Sequence, residues 1–288
     1  MGRIRPASST LQTVNHNSQN EGRSPTGQSA RPGLQKDPSR YSRIRREILL
    51  RNEERKLDRG AQPDLARGLL FDFDGTLYGD WRIWISIIEE TLADFQVEVS
   101  PHDALERARS IIEKSDPSAG TLKISNVAAV LAKDHGIDKD DMIRARFFER
   151  LDKRMDETGP EEHIAKMLKE FKREGFHLGI VTFVRKPRIT RRLDIWKFSD
   201  YFESVMTPDD EPDFKPSPRP YIRAMEELQV KPHECFVVGD EPVDMMGGKK
   251  AKATAIGIPQ GFFTRQELER AGADYILNSL NQLPRIVG

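Results

Sequence analysis

The chain has 288 residues, 37% of them hydrophobic, and its 46 basic and 46 acidic side chains cancel, so it can build one large or two smaller domains around a real core without net charge. Neutrality removes any global electrostatic case for nucleic acid or a membrane surface, and no apolar run reaches the roughly 18 residues needed to span a bilayer. The single cysteine, Cys235, excludes an intrachain disulfide and a multi-cysteine zinc site, so a soluble protein of a reducing, cytoplasmic compartment is expected.

Residues 1–40 are rich in Ser, Gln, Asn, Pro and Gly and carry Arg3, Arg5, Arg23, Arg31, Lys36 and Arg40 against Glu21 and Asp37. This composition predicts a disordered basic tail. It lacks the amphipathic apolar face of a transit peptide, and Pro6 breaks the myristoylation pattern. Residues 41–60 turn helical, with Ile44, Ile48, Leu49 and Leu50 beside an arginine-rich surface.

Next comes Leu69-Leu70-Phe71-Asp72-Phe73-Asp74-Gly75-Thr76. The apolar run Leu69 to Phe73 between Gly68 and Gly75 reads as a buried strand of an α/β sheet that delivers two acids to its carboxyl end, where ligands of such sheets sit. Asp72 and Asp74 point the same way on a strand, but Gly75 allows an immediate bend that can turn the second acid to a different task. Two carboxylates this close either leave one protonated or share a divalent cation such as Mg²⁺. A calcium loop is excluded, because its fifth, sixth and twelfth positions would fall on Thr76, Leu77 and Ile83. A plain strand-ending turn remains open from this stretch alone.

A long helical region follows. Ile85, Ile88, Leu92 and Phe95 form a helical stripe in Trp81 to Phe95; Pro101 opens a second helix toward Ile112; residues 116–120 break the chain; and further helices fall around Val127 to Lys133 and Asp140 to Met155. An all-helical block between two strands is expected to form a separate lobe over the acids. The sheet resumes after a helix from Pro160 to Arg173 closed by Gly175, with a buried strand from His177 to Phe183 that carries Thr182 near its end. A helix from Pro187 to Phe198, a strand from Glu203 to Met206, and Lys215 in a proline-stiffened loop before a helix from Arg219 to Leu228 come next. Cys235 to Gly239 repeats the first design: a buried strand, a glycine, Asp240, and Asp244 one helical turn on. Strands at Thr254 to Ile258 and Asp274 to Leu277 flank a capping box formed by Thr264 and Glu267.

Taken in order, Asp72-x-Asp74-Gly75-Thr76, Thr182, Lys215-Pro216 and Gly239-Asp240-x-x-x-Asp244 resemble the four motifs of the haloacid dehalogenase-like superfamily, over residues 66 to 288. The Lys186-Pro187-Arg188 and Lys215-Pro216-Ser217-Pro218 stretches and the helical insertion are similar to its phosphoglycolate phosphatase-like branch. The resemblance implies a Rossmann-like parallel sheet, with a core domain of residues 66–78 and 160–288 and a helical cap domain at 79–159. It also implies an Mg²⁺-dependent phosphomonoester hydrolase that acts on a small phosphorylated acid, sugar phosphate or nucleotide. In that reading Asp72 is the nucleophile, Asp74 the general acid and base, Thr182 a donor to a phosphoryl oxygen, and Lys215 a charge neutraliser. Asp72, Asp240 and the main-chain carbonyl of Asp74 would hold Mg²⁺, and Asp244 would bind it through water or steady Lys215. Trp81, Arg82 and Trp84, which begin the first insertion helix, are candidate substrate contacts, with packing as the alternative for the tryptophans.

Phe183 departs from the pattern, since this branch often has Asn after the Thr or Ser of its second motif. Among sister chemistries, Asp74 argues against a dehalogenase, and the absence of histidine from Trp81 to Phe95 argues against a sugar phosphomutase, which stays the runner-up with a non-catalytic phospho-ligand binder behind it. Gly247-Gly248-Lys249-Lys250 lacks the spacing of a phosphate loop and reads as a small-residue helix face. The six histidines form no ligand-like pair. Gly261-Phe262-Phe263 is either an exposed apolar tip or a covered loop.

Overall fold

The computed structural model describes residues 67–114 and 124–288. The expected basic tail, the arginine-rich helix at 41–60 and the chain break at 116–120 lie outside the described residues. Six parallel strands form one sheet in the order β3-β2-β1-β4-β5-β6. They are β1 (Arg67–Phe71), β2 (Phe176–Val181), β3 (Ser204–Met206), β4 (Cys235–Gly239), β5 (Thr254–Gly257) and β6 (Tyr275–Ile276). The chain builds outward from β1 to β3 on one side, then crosses back to lay β4, β5 and β6 on the other. The strand order therefore reverses between β1 and β4, the position where open α/β sheets leave a crevice at the strand carboxyl ends.

Leu69, Leu70 and Phe71 are fully buried, because a parallel central strand is covered on both faces and has no solvent side to alternate toward. The expected strand at 69–73 thus starts and stops two residues earlier. Phe73 leaves the ladder and accepts from the amides of both Leu77 and Tyr78 at 3.0 Å, while Gly75, at φ +85°, donates to the Tyr78 carbonyl at 2.8 Å. This tight loop is the bend that Gly75 permits.

Between β1 and β2 run α1 (Trp81–Ala93), α2 (Pro101–Lys114), α3 (Ile124–Asp134), α4 (Asp140–Thr158) and α5 (Glu162–Arg173). Asp80 caps α1 by accepting from the Arg82 amide, and the helix buries Trp84, Ile85, Ile87, Ile88 and Leu92. Burial of each such large apolar side chain contributes about 1.5–3 kcal/mol, so the stripe and not local propensity holds the helix. Helices α1 to α4 pack on one another, while α5 packs on β2. Ion pairs reinforce the α1–α4 seam at the surface, including Arg150 to Asp94 at 2.6 Å. Pro160 stands before the Glu161 cap and outside the first turn of α5 expected for it, and Gly175 follows the helix at φ +82°.

The remaining helices are α6 (Lys186–Trp196), α7 (Arg219–Glu227), α8 (Pro242–Lys250), α9 (Arg265–Arg270) and α10 (Pro284–Val287). Thr264 and Glu267 form the expected capping box at α9. On α8, a Cβ at Gly247 would collide with Tyr221 and one at Gly248 with Val237, so these glycines serve close helix packing. Phe262 packs against the main core and Phe263 against the Met245–Leu268 cluster, which makes the Gly261 loop a covered one. No helix among the described residues is long and apolar enough to cross a membrane.

Candidate active site

Strand register gathers the acids. Phe71 pairs with Ile180 of β2 and Val238 of β4, so Asp72 emerges between the two neighbours whose next residues lead to Thr182 and Asp240. The Asp72 amide donates to the Val238 carbonyl at 2.8 Å, which extends the β1–β4 pairing to the acid itself. Lys215 arrives from the loop before α7 and donates its Nζ to Asp72 Oδ1 at 2.6 Å, while Asp244 Oδ1 lies 2.7 Å away on its other side. Asp72, Thr182, Lys215, Asp240 and Asp244 are all buried.

Asp244 is engaged through both oxygens. Tyr221 donates its hydroxyl to Oδ1 at 3.0 Å, and the Glu241 amide donates to Oδ2 at 3.3 Å in the capping box of α8. Asp240 Oδ1 accepts from the Thr76 hydroxyl at 2.9 Å. Ligand atoms of Asp72, Asp240 and Asp244 lie within 4.8 Å of one another. Three buried carboxylates against one ammonium leave surplus negative charge. Burial pushes Asp72 up to about 7, opposed chiefly by Lys215, and burial with Asp72 beside it raises Asp240 well above the carboxylate range. Lys215 is raised despite its burial, because Asp244 and Asp72 stabilise its charged form.

A hard cation fits this donor set, which offers only oxygens and excess negative charge. The backbone leaves room beside one of the acids: a Cβ on Gly75 or on Gly261 would collide with the Asp240 carboxylate. The Asp74 carboxylate stands apart from this cluster. Its Oδ1 is buried without a partner, and burial raises its pKa against the opposing charges of Arg192, Arg188 and Lys215.

Thr182 Oγ1 accepts from the Val184 amide at 3.2 Å, which leaves its proton available to an acceptor. Phe183 packs edge-to-face on Phe214 at 5.2 Å, and Lys215 Nζ lies 5.4 Å from the centre of its ring. The aromatic ring thus borders the ammonium where the branch often supplies an amide side chain.

The model of the haloacid dehalogenase-like hydrolases matches residues 69–258. The chain belongs to this family. Among curated relatives of this chain, the pyrophosphatase PpaX of Bacillus mycoides is 32% identical over 122 residues, which are 42% of this chain and 57% of that protein. The match therefore spans little more than half of that relative. PpaX of Halalkalibacterium halodurans is 25% identical over 221 residues, 76% of this chain and 96% of that one. A solved Haemophilus somnus protein, described as a predicted phosphoglycolate phosphatase, has the same fold, with a TM-score of 0.63 at 17% identity over 77% of this chain and 98% of that one.

The substrate-contact candidates divide. Trp84 is 4% exposed and packs edge-on against Tyr78, so it belongs to the core and is removed from the candidates. Trp81 and Arg82 line a cavity of about 700 Å³ together with Thr76, Tyr78, Arg154 and Gln260, but Asp72 and Asp74 are not among its walls. The exposed Arg82 pairs with Asp80 at 2.7 Å. Sequence reasoning missed Tyr221, Gly261 and Arg192. Only Arg192 had a legible signal, an arginine on the same helical stripe as the buried Ile189 and Leu193.

Proposed function

We propose that this hydrolase cleaves phosphomonoesters through an aspartyl phosphate on Asp72. The observation that carries the reading is the buried Asp72 carboxylate, held through one oxygen by Lys215 at the switch point of the sheet, with Asp240 beside it. Lys215 fixes the rotamer of Asp72 and offsets charge as the phosphoryl group approaches. Asp72 attacks phosphorus, the bond to the ester oxygen breaks, and a protonated Asp74 gives its proton to the leaving alkoxide. Asp74, now a carboxylate, takes a proton from water; the water oxygen attacks phosphorus, and the bond to Asp72 breaks to release phosphate. The burial that raises Asp74 favours the protonated form required in the first step. Thr182 donates its hydroxyl proton to a phosphoryl oxygen.

Asp72, Asp240 and the main-chain carbonyl of Asp74 would hold Mg²⁺, which when bound supplies Lewis-acid neutralisation of phosphoryl charge. Asp244, with both oxygens engaged, serves Lys215. Residues 79–159 act as a cap that selects among leaving groups, since phosphate-binding groups at the sheet meet only what every phosphomonoester shares. The substrate is a small phosphorylated metabolite, either an acid, a sugar or a nucleotide. The test is release of inorganic phosphate from p-nitrophenyl phosphate and a panel of such esters with Mg²⁺. Asp72→Asn is expected to abolish turnover, and near-normal release by that variant rules the covalent route out.

A further inference from the structure

We propose that Glu211 is a positioning residue that pins the turn carrying Lys215 to α7 and so sets where the Lys215 ammonium stands between Asp72 and Asp244. The role rests on the reading of Lys215 as the group that offsets charge in phosphoryl transfer. Lys215 lies on neither a strand nor a helix but in the loop between β3 and α7, yet its Nζ lies 2.6 Å from Asp72 and 2.7 Å from Asp244. The stem of a lysine is flexible, so the ammonium is held that closely only if the backbone beneath it is held too. Glu211, from the same loop, is 3% exposed. A carboxylate buried to that degree is costly unless its charge and its oxygens are met.

Glu211 is met from two directions. Its Oε1 accepts from the Asp213 amide at 3.2 Å and lies 3.3 Å from Arg219 Nε, while its Oε2 lies 3.5 Å from Arg223 Nη1. Arg219 and Arg223 stand one helical turn apart on the same side of α7, so a single carboxylate engages both the helix and the backbone of the loop. Asp213 then opens the turn that contains Lys215: its Oδ2 accepts from the Ser217 hydroxyl at 2.8 Å, and the Ser217 amide donates to the Phe214 carbonyl at 2.8 Å. Ahead of Glu211 the loop is fastened to the end of β3 and the start of α6, since Asp210 accepts from the Thr207 amide at 3.0 Å and from Lys186 Nζ at 3.1 Å. Arg223 also donates to the Asp210 carbonyl. Glu211 is therefore the joint between the anchored start of the loop and the turn that presents Lys215. Removing its carboxylate releases the Asp213 amide and both arginines, and the ammonium loses the footing that keeps it between its two acids.

Two measurements test the joint. The first is a substrate-free thermal cycle of Glu211→Met, Lys215→Met and the double variant. Glu211→Met is expected to change Tm more favourably in the Lys215→Met background than in the wild type, by about 2 °C or more, because part of its cost in the wild type is the loosened ammonium. The same change in both backgrounds, or a larger loss in Lys215→Met, marks Glu211 as purely structural and overturns the proposal. In the second measurement, Glu211→Met is expected to lower kcat on p-nitrophenyl phosphate by about tenfold or more in the wild-type background, and by less than about twofold in the Lys215→Met background, since a group that acts through Lys215 has nothing left to place there. Equal fold losses in both backgrounds, or no loss in the wild type, overturn the proposal. Should Glu211→Met fail to fold, Arg219→Met at the exposed end of the joint takes its place in both cycles, with the same directions expected. If the wild-type chain releases no phosphate, the phosphatase reading fails by itself. The thermal cycle alone then decides whether Glu211 places Lys215, as it does if Lys215→Met has no measurable turnover.

Discussion

Replacing Lys215 by methionine tests the electrostatics of the site most directly. The side chain is buried, and its Nζ lies between Asp72 at 2.6 Å and Asp244 at 2.7 Å. Methionine keeps most of the apolar stem, so the loss is mainly that of the charge. Breaking one side of a buried ion pair costs about 3–5 kcal/mol, which for a domain of this size corresponds to a Tm lower by roughly 6–20 °C. The pH dependence has a definite sign. The folded chain raises Asp72 from 3.8 to about 7, so the stability this group contributes is fully present below 3.8 and is lost as pH rises through about 7. Lys215 is the largest influence opposing that rise, so the variant holds the Asp72 proton to still higher pH and is penalised more once the acid must ionise. Scanning calorimetry in EDTA should therefore find a modest gap between wild type and Lys215→Met near pH 5 that widens toward pH 8. A gap of equal size at both pH values, or no gap, would refute the claim that Lys215 is held there to balance buried carboxylates.

Gly261→Ala should weaken Mg²⁺ binding by at least about tenfold, or roughly 1.4 kcal/mol, since its Cβ would displace the Asp240 carboxylate; unchanged calorimetric affinity would show that Asp240 is not a ligand. Added Mg²⁺ should raise Tm far more at pH 8 than at pH 5, because Asp72 and Asp240 must lose protons to bind it, and equal shifts would place the cation elsewhere. Phe183→Leu should lower kcat/KM by about two- to thirtyfold if the ring steadies Lys215, from a cation–π contribution of about 0.5–2 kcal/mol, with Phe183→Tyr close to wild type; a fully active Leu variant would reduce the ring to packing. Arg82→Ala should change kcat/KM equally and slightly on a preferred ester and on p-nitrophenyl phosphate, since Arg82 is exposed and paired with Asp80; a selective loss on the preferred ester would restore it as a substrate contact.

Local pattern alone was enough to locate the strands that deliver Asp72, Thr182 and Asp240, the helical stripe of Ile85, Ile88 and Leu92, and the Thr264–Glu267 cap. Periodicity and capping are written in residues a few positions apart, and an apolar run that stops at an acid already says where a buried strand ends. Tertiary structure alone decided who meets whom. Lys215 reaches Asp72 across 143 residues only because β1 lies between β2 and β4, a strand order that depends on how whole faces are buried. The same reason separates Trp84 from Arg82: the first turn of α1 carries both, but Tyr78 covers one and Asp80 draws the other to the surface. Arg192 is the sharpest case, since it lies on the inward stripe of α6 and only the tertiary fold brings to it Asp152, 40 residues earlier on α4, whose carboxylate accepts from its guanidinium at 2.7 Å.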